Sequence, residues 1–216
     1  MVDSAVMVRL DPKSLLDAVG RVTVRNRRVR RLAGHLAQAI PTRGTVLDIG
    51  AGEGLVAEAL MQLRRDLRIE GVDVSVPPHA RIAITPYDGT ELPFADQSFD
   101  YVTIIDQLHR ASEPAVVLAE AARVARYGVV VKDRLADGAL AIQTLRFMDW
   151  VESWGRAAVP PQHYLTRDEW QNAYYRARLA PVSNVERLAL YPPPFSWLFD
   201  RNLHFVALLR ARAPAR

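Results

Sequence analysis

The stretch "TVLDIGAGEGLVAEAL", Thr45 to Leu60, constrains the chain more than any other. A β-branched and aliphatic run ends in an acid, three glycines alternate, and an apolar helical pattern follows. Thr45 to Ile49 reads as a buried strand of a parallel sheet, a short apolar run bounded by turn signals. Gly50, Gly52 and Gly54 permit positive φ and let a ligand approach the backbone with no Cβ in the way. Leu55, Val56, Ala59, Leu60 and Leu63 recur at helical spacing, so a helix N-terminus faces whatever the turn holds.

Charge narrows the ligand. A dinucleotide site wants G-x-G-x-x-G, with the pyrophosphate on the helix N-terminus. Here the spacing is G-x-G-x-G, one residue short, and the Gly-Lys-Ser/Thr of a P-loop is absent. Asp48 and Glu53 bracket the turn, and no Lys or Arg lies between Thr45 and Leu63. Two carboxylates repel a phosphate and suit a cation. S-adenosyl-L-methionine, with an ammonium, a sulfonium and no phosphate, fits that pattern.

"VLDIGAGEG" resembles the first motif of class I S-adenosylmethionine-dependent methyltransferases, and three further stretches agree in order and spacing. They are "RIEGVDVS" (Arg68 to Ser75), "YDGTELPFADQSFDYVTIID" (Tyr87 to Asp106) and "ARVARYGVVVKDR" (Ala122 to Arg134). Within the family the likeness is to the small-molecule group that includes quinone and polyketide methylating enzymes. The resemblance implies that Asp48, Gly50, Ala51 and Gly52 form the cofactor turn. It puts Asp73 on the two ribose hydroxyls, with Val74 beside it, and a carboxylate accepts both hydroxyl hydrogens at once. It puts Asp88 on the adenine amino group and the Gly89 amide on the ring edge, with Asp106 and Gln107 at the methionine end. S-adenosyl-L-homocysteine is then the product.

Strands and helices alternate along the chain, which means a mostly parallel sheet with helices on both faces and ligands at the carboxyl ends of the strands. The expected fold is α/β and Rossmann-like, with seven strands, the last two an antiparallel hairpin at the sheet edge by resemblance. The 216 residues suit one domain. Its expected parts are N-terminal helices over 1–42, a cofactor-binding core over 43–134, a lid over 135–165, and a last helix and edge hairpin over 166–216. Expected boundaries are a helix from Glu53, a strand at Arg81–Thr85, strand 4 at Phe99–Ile105, a helix capped by Ser112 and strand 5 at Tyr127–Lys132. Asp137 is expected to cap a lid helix, and Thr166 to Glu169 is a capping box opening a helix to Leu179. "NVERLALYP" and "LHFVALLRA" read as the last strands.

Composition excludes several classes. Half the residues are hydrophobic, so the chain is not disordered. No apolar run approaches ~18 residues, the length of a membrane span. The start, "MVDSAVMVRLDPK", lacks the basic-then-apolar order of a signal peptide, and a cytoplasmic protein is expected. With no cysteine there are no disulfides, thiolate metal sites or cysteine nucleophile. The net charge is +4, carried almost wholly by arginine, and "RVTVRNRRVRR" concentrates Arg21, Arg25, Arg27, Arg28, Arg30 and Arg31. Val29, Leu32, Leu36 and Ile40 form a helical stripe there, so the arginines are expected to face largely outward as a solvated face, or to bind an acid or phosphate. An N-terminal arginine on the cofactor's carboxylate is a further option.

Methyl transfer is an in-line displacement at an activated sulfonium, so alignment and exclusion of water dominate and a general base is optional. The expected acceptor is a small, apolar or aromatic organic molecule, on account of Phe147, Met148, Trp150, Trp154 and Tyr164 in the lid. His109, just past strand 4, and His163, next to Tyr164, are the candidate catalytic residues. His35, His79 and His204 read as structural. "YPPPF" (Tyr191 to Phe195) resembles the Asn-Pro-Pro-Tyr/Phe motif of base-amine methyltransferases but lies between the last strands, so it reads as a rigid connection. Nucleic-acid acceptors are accordingly disfavoured. Asp106 and Asp133 end adjacent strands, as in metal-dependent catechol-type enzymes, but Arg134 follows Asp133, so an ion pair is expected and no metal. The alternatives are an RNA- or protein-directed methyltransferase using the arginine cluster, and a catalytically silent cofactor-binding protein acting through a partner. A monomer or homodimer is expected.

Overall fold

The computed structural model describes residues 12–152, 163–193 and 196–212. Seven strands form one sheet: β1 (Gly44–Ile49), β2 (Leu67–Asp73), β3 (Ile84–Pro86), β4 (Phe99–Ile105), β5 (Ala125–Arg134), β6 (Leu179–Val185) and β7 (His204–Ala211). Their order is β3-β2-β1-β4-β5-β7-β6, parallel throughout except for β7, which runs against both neighbours. The sheet reverses its winding between β1 and β4, so the crevice for a ligand opens at the carboxyl ends of those strands.

Period-two alternation gives each strand two apolar faces, and each is covered. One face packs Val46, Tyr101, Val130, Val206 and Leu208 against Leu32 and Leu36 of α1 (Pro12–Ala39), Leu60 of α2 (Leu55–Leu63) and Leu145 and Met148 of α4 (Ala141–Glu152). The other packs Leu47, Val102, Ile104, Val131 and Phe205 against Leu118 of α3 (Pro114–Val124) and Trp170 of α5 (Arg167–Arg176). The α1 stripe expected from sequence is therefore its inner face. A short helix, α6 (Ser196–Phe199), lies between the last two strands.

Several boundaries differ from expectation for local reasons. Gly54 caps α2 in the left-handed region (φ 73°), delaying the helix to Leu55. The helix after Ser112 begins at Pro114 with Glu113 as its cap, because a residue before proline is driven out of the α region. Asp137 caps nothing; its carboxylate accepts from Arg167, and α4 starts at Ala141. The Thr166–Glu169 capping box is present, but α5 stops at Arg176, and Arg178 at φ 57° turns the chain into β6. "NVERLALYP" is thus strand only at its first two residues, and β7 is an inner strand with β6 at the edge. β3 is displaced to Ile84–Pro86, and β5 extends beyond Tyr127–Lys132 at both ends. Trp154, Pro194 and Phe195 lie outside the described residues.

Two glycines test this packing. A Cβ on Gly71 of β2 would lie 2.5 Å from the Ala51 Cβ, whereas one on Gly34 of α1 meets nothing within 4 Å. Gly71→Ala should destabilise by about 1–3 kcal/mol through overpacking, and Gly34→Ala should stabilise by about 0.5–1 kcal/mol through helix entropy. Urea denaturation of the two variants checks both signs.

Candidate functional site

The turn after β1 is built as a cradle. Gly50 and Gly52 both take positive φ (72° and 53°), and the Gly50 and Ala51 amides donate to the Val72 carbonyl of β2. At Gly52 nothing lies within 4 Å of where a Cβ would stand, so the cradle is open on that side. At Gly50 a Cβ would collide with the Gln107 side chain, whose amide donates to the Gly50 carbonyl at 3.1 Å.

Acids close the cradle. Asp73, ending β2, accepts from the Gly52 amide at 2.8 Å and from the Ser75 amide at 3.1 Å. Asp48 is buried beneath the turn and accepts from the Thr103 hydroxyl at 2.6 Å. Burial pushes Asp48 up to about 7, the Thr103 hydrogen bond working against that rise and the Asp73 charge adding to it. Asp88 is exposed, and one of its oxygens accepts from the Thr90 amide and hydroxyl and from the Glu91 amide; these bonds hold it below the usual carboxylate range. Beside it Gly89 (φ 89°) meets Val74, whose Cγ1 lies 3.3 Å from the position of a Gly89 Cβ. Val74 is 66% exposed, an apolar edge with nothing packed on it in full.

A cleft of 360 Å³ opens at the turn, lined by Asp48, Gly50, Ala51, Glu53, Leu55, Val56, Ile105 and, from α1, Arg25 and Val29; Asp73, Val74, Asp88, Gly89 and Gln107 are not part of that lining. That volume is in the range of small-molecule sites. Arg25 reaches across the mouth to Glu53 at 2.6 Å. The arginine cluster is therefore divided: Arg25 faces the cleft, Arg28 lies over the Tyr191 ring, and Arg30 and Arg31 are exposed. Their spacing on one long helix gave no signal of that division.

A second cluster stands at the tips of β4 and β5. Asp106 has φ 52°, a strained backbone for a non-glycine residue, and both its oxygens accept from Lys132 Nζ (2.5 and 2.6 Å). Burial acts to raise Asp106, but Lys132, Arg28 and Arg134 hold it well below the carboxylate range. Burial in turn lowers the Lys132 ammonium, against the pull of Asp106. His109, in the 3₁₀ turn Leu108–Arg110, is fully buried, with Nδ1 2.6 Å from Asp133. Its Nε2 is without a hydrogen-bond partner among the described residues. The His163 amide donates to the His109 carbonyl while the His163 side chain is exposed, so the two histidines meet through backbone only.

Asp106, His109 and Asp133 bring possible metal-ligand atoms within 4.8 Å of one another. Lys132 already fills Asp106. Asp133 accepts from the Leu108, His109 and Arg134 amides and from the His109 ring. The ion pair expected with Arg134 forms elsewhere: Lys132 takes Asp106, and Arg134 takes Asp149 of α4, which also accepts from Tyr164. Lys132, Asp149 and the Asp133–His109 bond escaped the sequence reading. The signal was the charged triplet Lys132-Asp133-Arg134 closing an apolar strand.

A sheet wound β3-β2-β1-β4-β5-β7-β6, a glycine cradle after β1 and an acid ending β2 define the class I S-adenosylmethionine-dependent methyltransferase fold. Residues 47–131 match the family model described as "Methyltransferase domain". Those residues make up less than half of the chain, and over that stretch the chain is similar to the family. It is similar to demethylmenaquinone methyltransferase of Renibacterium salmoninarum, 37% identical over 107 residues, 47% of this chain and 45% of that protein. It is also similar to 27-O-demethylrifamycin SV methyltransferase of Amycolatopsis mediterranei, 33% identical over 113 residues, 45% of this chain and 41% of the other. The matched stretches thus span less than half the length of these curated relatives. Among solved structures, a chain of the complex between the Haloferax volcanii Trm112 methyltransferase activator and a methyltransferase superposes with TM-score 0.69 at 20% identity. That match covers 94% of this chain and 99% of the other, and shows the fold.

A buried, half-neutral carboxylate facing a glycine cradle fits a cationic ligand, which would draw Asp48 into its ionised form. Below about 7 the apo protein holds a proton on Asp48 that a cation must expel. Affinity for S-adenosylmethionine should therefore rise with pH through neutrality, by up to about tenfold per pH unit on the acid side. Calorimetry across that range should show the slope in the wild type and a flat profile in Asp48→Asn.

Proposed function

We propose that the chain catalyses methyl transfer from S-adenosyl-L-methionine to a small, apolar or aromatic organic acceptor. The observation that carries this reading is the single cleft onto which the glycine cradle, Asp48 and the neighbouring β4 tip open. When bound, the cofactor supplies a methyl group already activated on a sulfonium. In this reading Gly50, Ala51 and Gly52 receive it on the backbone, Asp73 takes the ribose hydroxyls, and Asp48 and Arg25 serve its ammonium and carboxylate ends. Val74, Asp88 and Gly89 receive the adenine ring, while Asp106 and Gln107 border the methionine end. The names of the relatives, one acting on a menaquinone precursor and one on a rifamycin, support a small acceptor.

His109 is the proposed base. Asp133 accepts from Nδ1–H, which puts the lone pair on the buried Nε2 and stabilises the imidazolium that a proton transfer creates. His163 is proposed as an acceptor contact from the exposed side of the same backbone link. The pairing of Arg25 with Glu53 and the seat of Arg28 over the Tyr191 ring weigh against an RNA- or protein-directed enzyme. The described part of α4 carries Phe147 and Trp150 stacked on each other and about half exposed, which suits a lid over 135–165. The chain then works as one domain of four parts, the lid following the 43–134 core. No helix among the described residues is long and apolar enough to cross a membrane, which accords with a cytoplasmic location.

Calorimetry with S-adenosylmethionine and S-adenosylhomocysteine tests the reading. Both should bind the wild type, and Asp73→Ala should weaken them at least about tenfold, the worth of hydrogen bonds to an ionised group. A folded wild type that binds neither overturns the proposal. His109→Gln should lower kcat by about 10²–10⁴ with cofactor affinity unchanged, read in single-turnover assays on an acceptor found by screening.

A further inference from the structure

We propose that Tyr164 is a positioning residue for His109, fixing the imidazole through a clamp that reaches it from helix α4. This rests on the reading of His109 as base and adds the group that holds it. Residues 163–165 cross the end of β5. On one side the His163 amide donates to the His109 carbonyl at 2.9 Å, and on the other the Ala136 amide donates to the Leu165 carbonyl at 2.9 Å. Tyr164 and Leu165, adjacent in the chain, pack against the cores on opposite faces of the sheet. The Tyr164 ring is half-buried and lies 6.4 Å from the His109 imidazole, the two planes only 18° apart. Asp133 holds the imidazole at Nδ1, a single bond about which a planar ring can pivot. A second flat ring stacked beside it limits that motion.

Tyr164 is itself held. Its hydroxyl donates to Asp149 of α4, and Asp149 also accepts from Arg134. The Arg134 guanidinium stands 6.0 Å from the centre of the Tyr164 ring, a further contact on the same side. Two consecutive residues of β5 thus close one circuit around the end of the strand. Asp133 holds His109 directly on one face of the sheet, Arg134 holds Asp149 on the other, and Tyr164 spans from Asp149 to His109. Asp149 is buried, and a hydrogen bond to an ionised carboxylate away from water is among the stronger ones. With its hydroxyl committed to Asp149, Tyr164 acts on the chemistry through His109 only. The clamp gives the buried Nε2 a fixed direction and a dry setting. It also makes the base conditional on α4: what seats that helix steadies His109, and by linkage an ordered His109 favours the seated helix.

The test reads Nε2 directly, with diethyl pyrocarbonate, which acylates a neutral imidazole nitrogen that it can reach. Mass spectrometry follows each histidine, the exposed His79 serving as reference and the buried His204 as a reporter of general loosening. In the wild type His79 should react and His109 should be protected. Tyr164→Phe keeps the ring and removes only its anchor. It should speed His109 modification at least about tenfold, the worth of a hydrogen bond to an ionised group, with His79 and His204 unchanged. Tyr164→Leu should speed it further. Asp149→Asn should match Tyr164→Phe, and the double variant should add nothing, since both cut one clamp. On an acceptor found by screening, Tyr164→Phe should lower kcat about tenfold with KM and S-adenosylmethionine affinity unchanged. The proposal is overturned if His109 reacts as readily as His79 in the wild type, or stays protected in both Tyr164 variants. It is also overturned if His109 opens only together with His204, or if kcat does not fall in Tyr164→Phe. Should His109→Gln leave kcat unchanged while Tyr164→Phe exposes His109, the base reading fails and the clamp on His109 stands.

Discussion

Three consecutive charges at the tip of β5, Lys132, Asp133 and Arg134, are all buried, and the upper half of the molecule is arranged to meet them. A charge taken out of water costs several kcal/mol unless it is paired and hydrogen-bonded, and removing one partner of a buried pair costs about 3–5 kcal/mol. Strand alternation sends Lys132 and Arg134 to one face and Asp133 to the other. Each demands a partner from a different element: Asp106 after β4, Asp149 on α4, and the 3₁₀ turn with His109. The strained φ of Asp106 is understandable in these terms, since it serves the carboxylate that neutralises Lys132.

This network gives the tips of β1 and β5 different electrostatics. At the β1 end the acids Asp48 and Asp73 dominate, and burial, with the Asp73 charge adding to it, pushes Asp48 up to about 7. At the β5 end Lys132, Arg28 and Arg134 dominate: they depress Asp106 against the effect of its burial, and they add to the burial that lowers His204. A site that is acidic where a sulfonium ligand would lie and basic beside it is polarised to bring a cation and an electron-rich partner together. Position and field then act in the same direction.

Much of the fold was legible because its decisive signals are local. The β1 run, the three glycines, Asp73 ending a strand, the Phe99–Ile105 bounds of β4 and the capping box at Thr166 each involve a few adjacent residues. β6 was missed because "LAPVSNV" is an edge strand with five exposed residues and a register shift at Pro181, which leaves no alternation to read. The separate partners of Arg25 and Arg28 were invisible for a different reason. An arginine's stem packs on apolar surface while its head seeks a charge, and which charge depends on tertiary neighbours such as Glu53 and Asp106.

His204 shows the same gap at a single side chain. In the sequence it stands in "LHFVALLRA", an apolar strand, and an edge position would have left its ring a route to water. The sheet instead inserts β7 between β5 and β6, so the imidazole faces Arg134 with both nitrogens cut off from solvent.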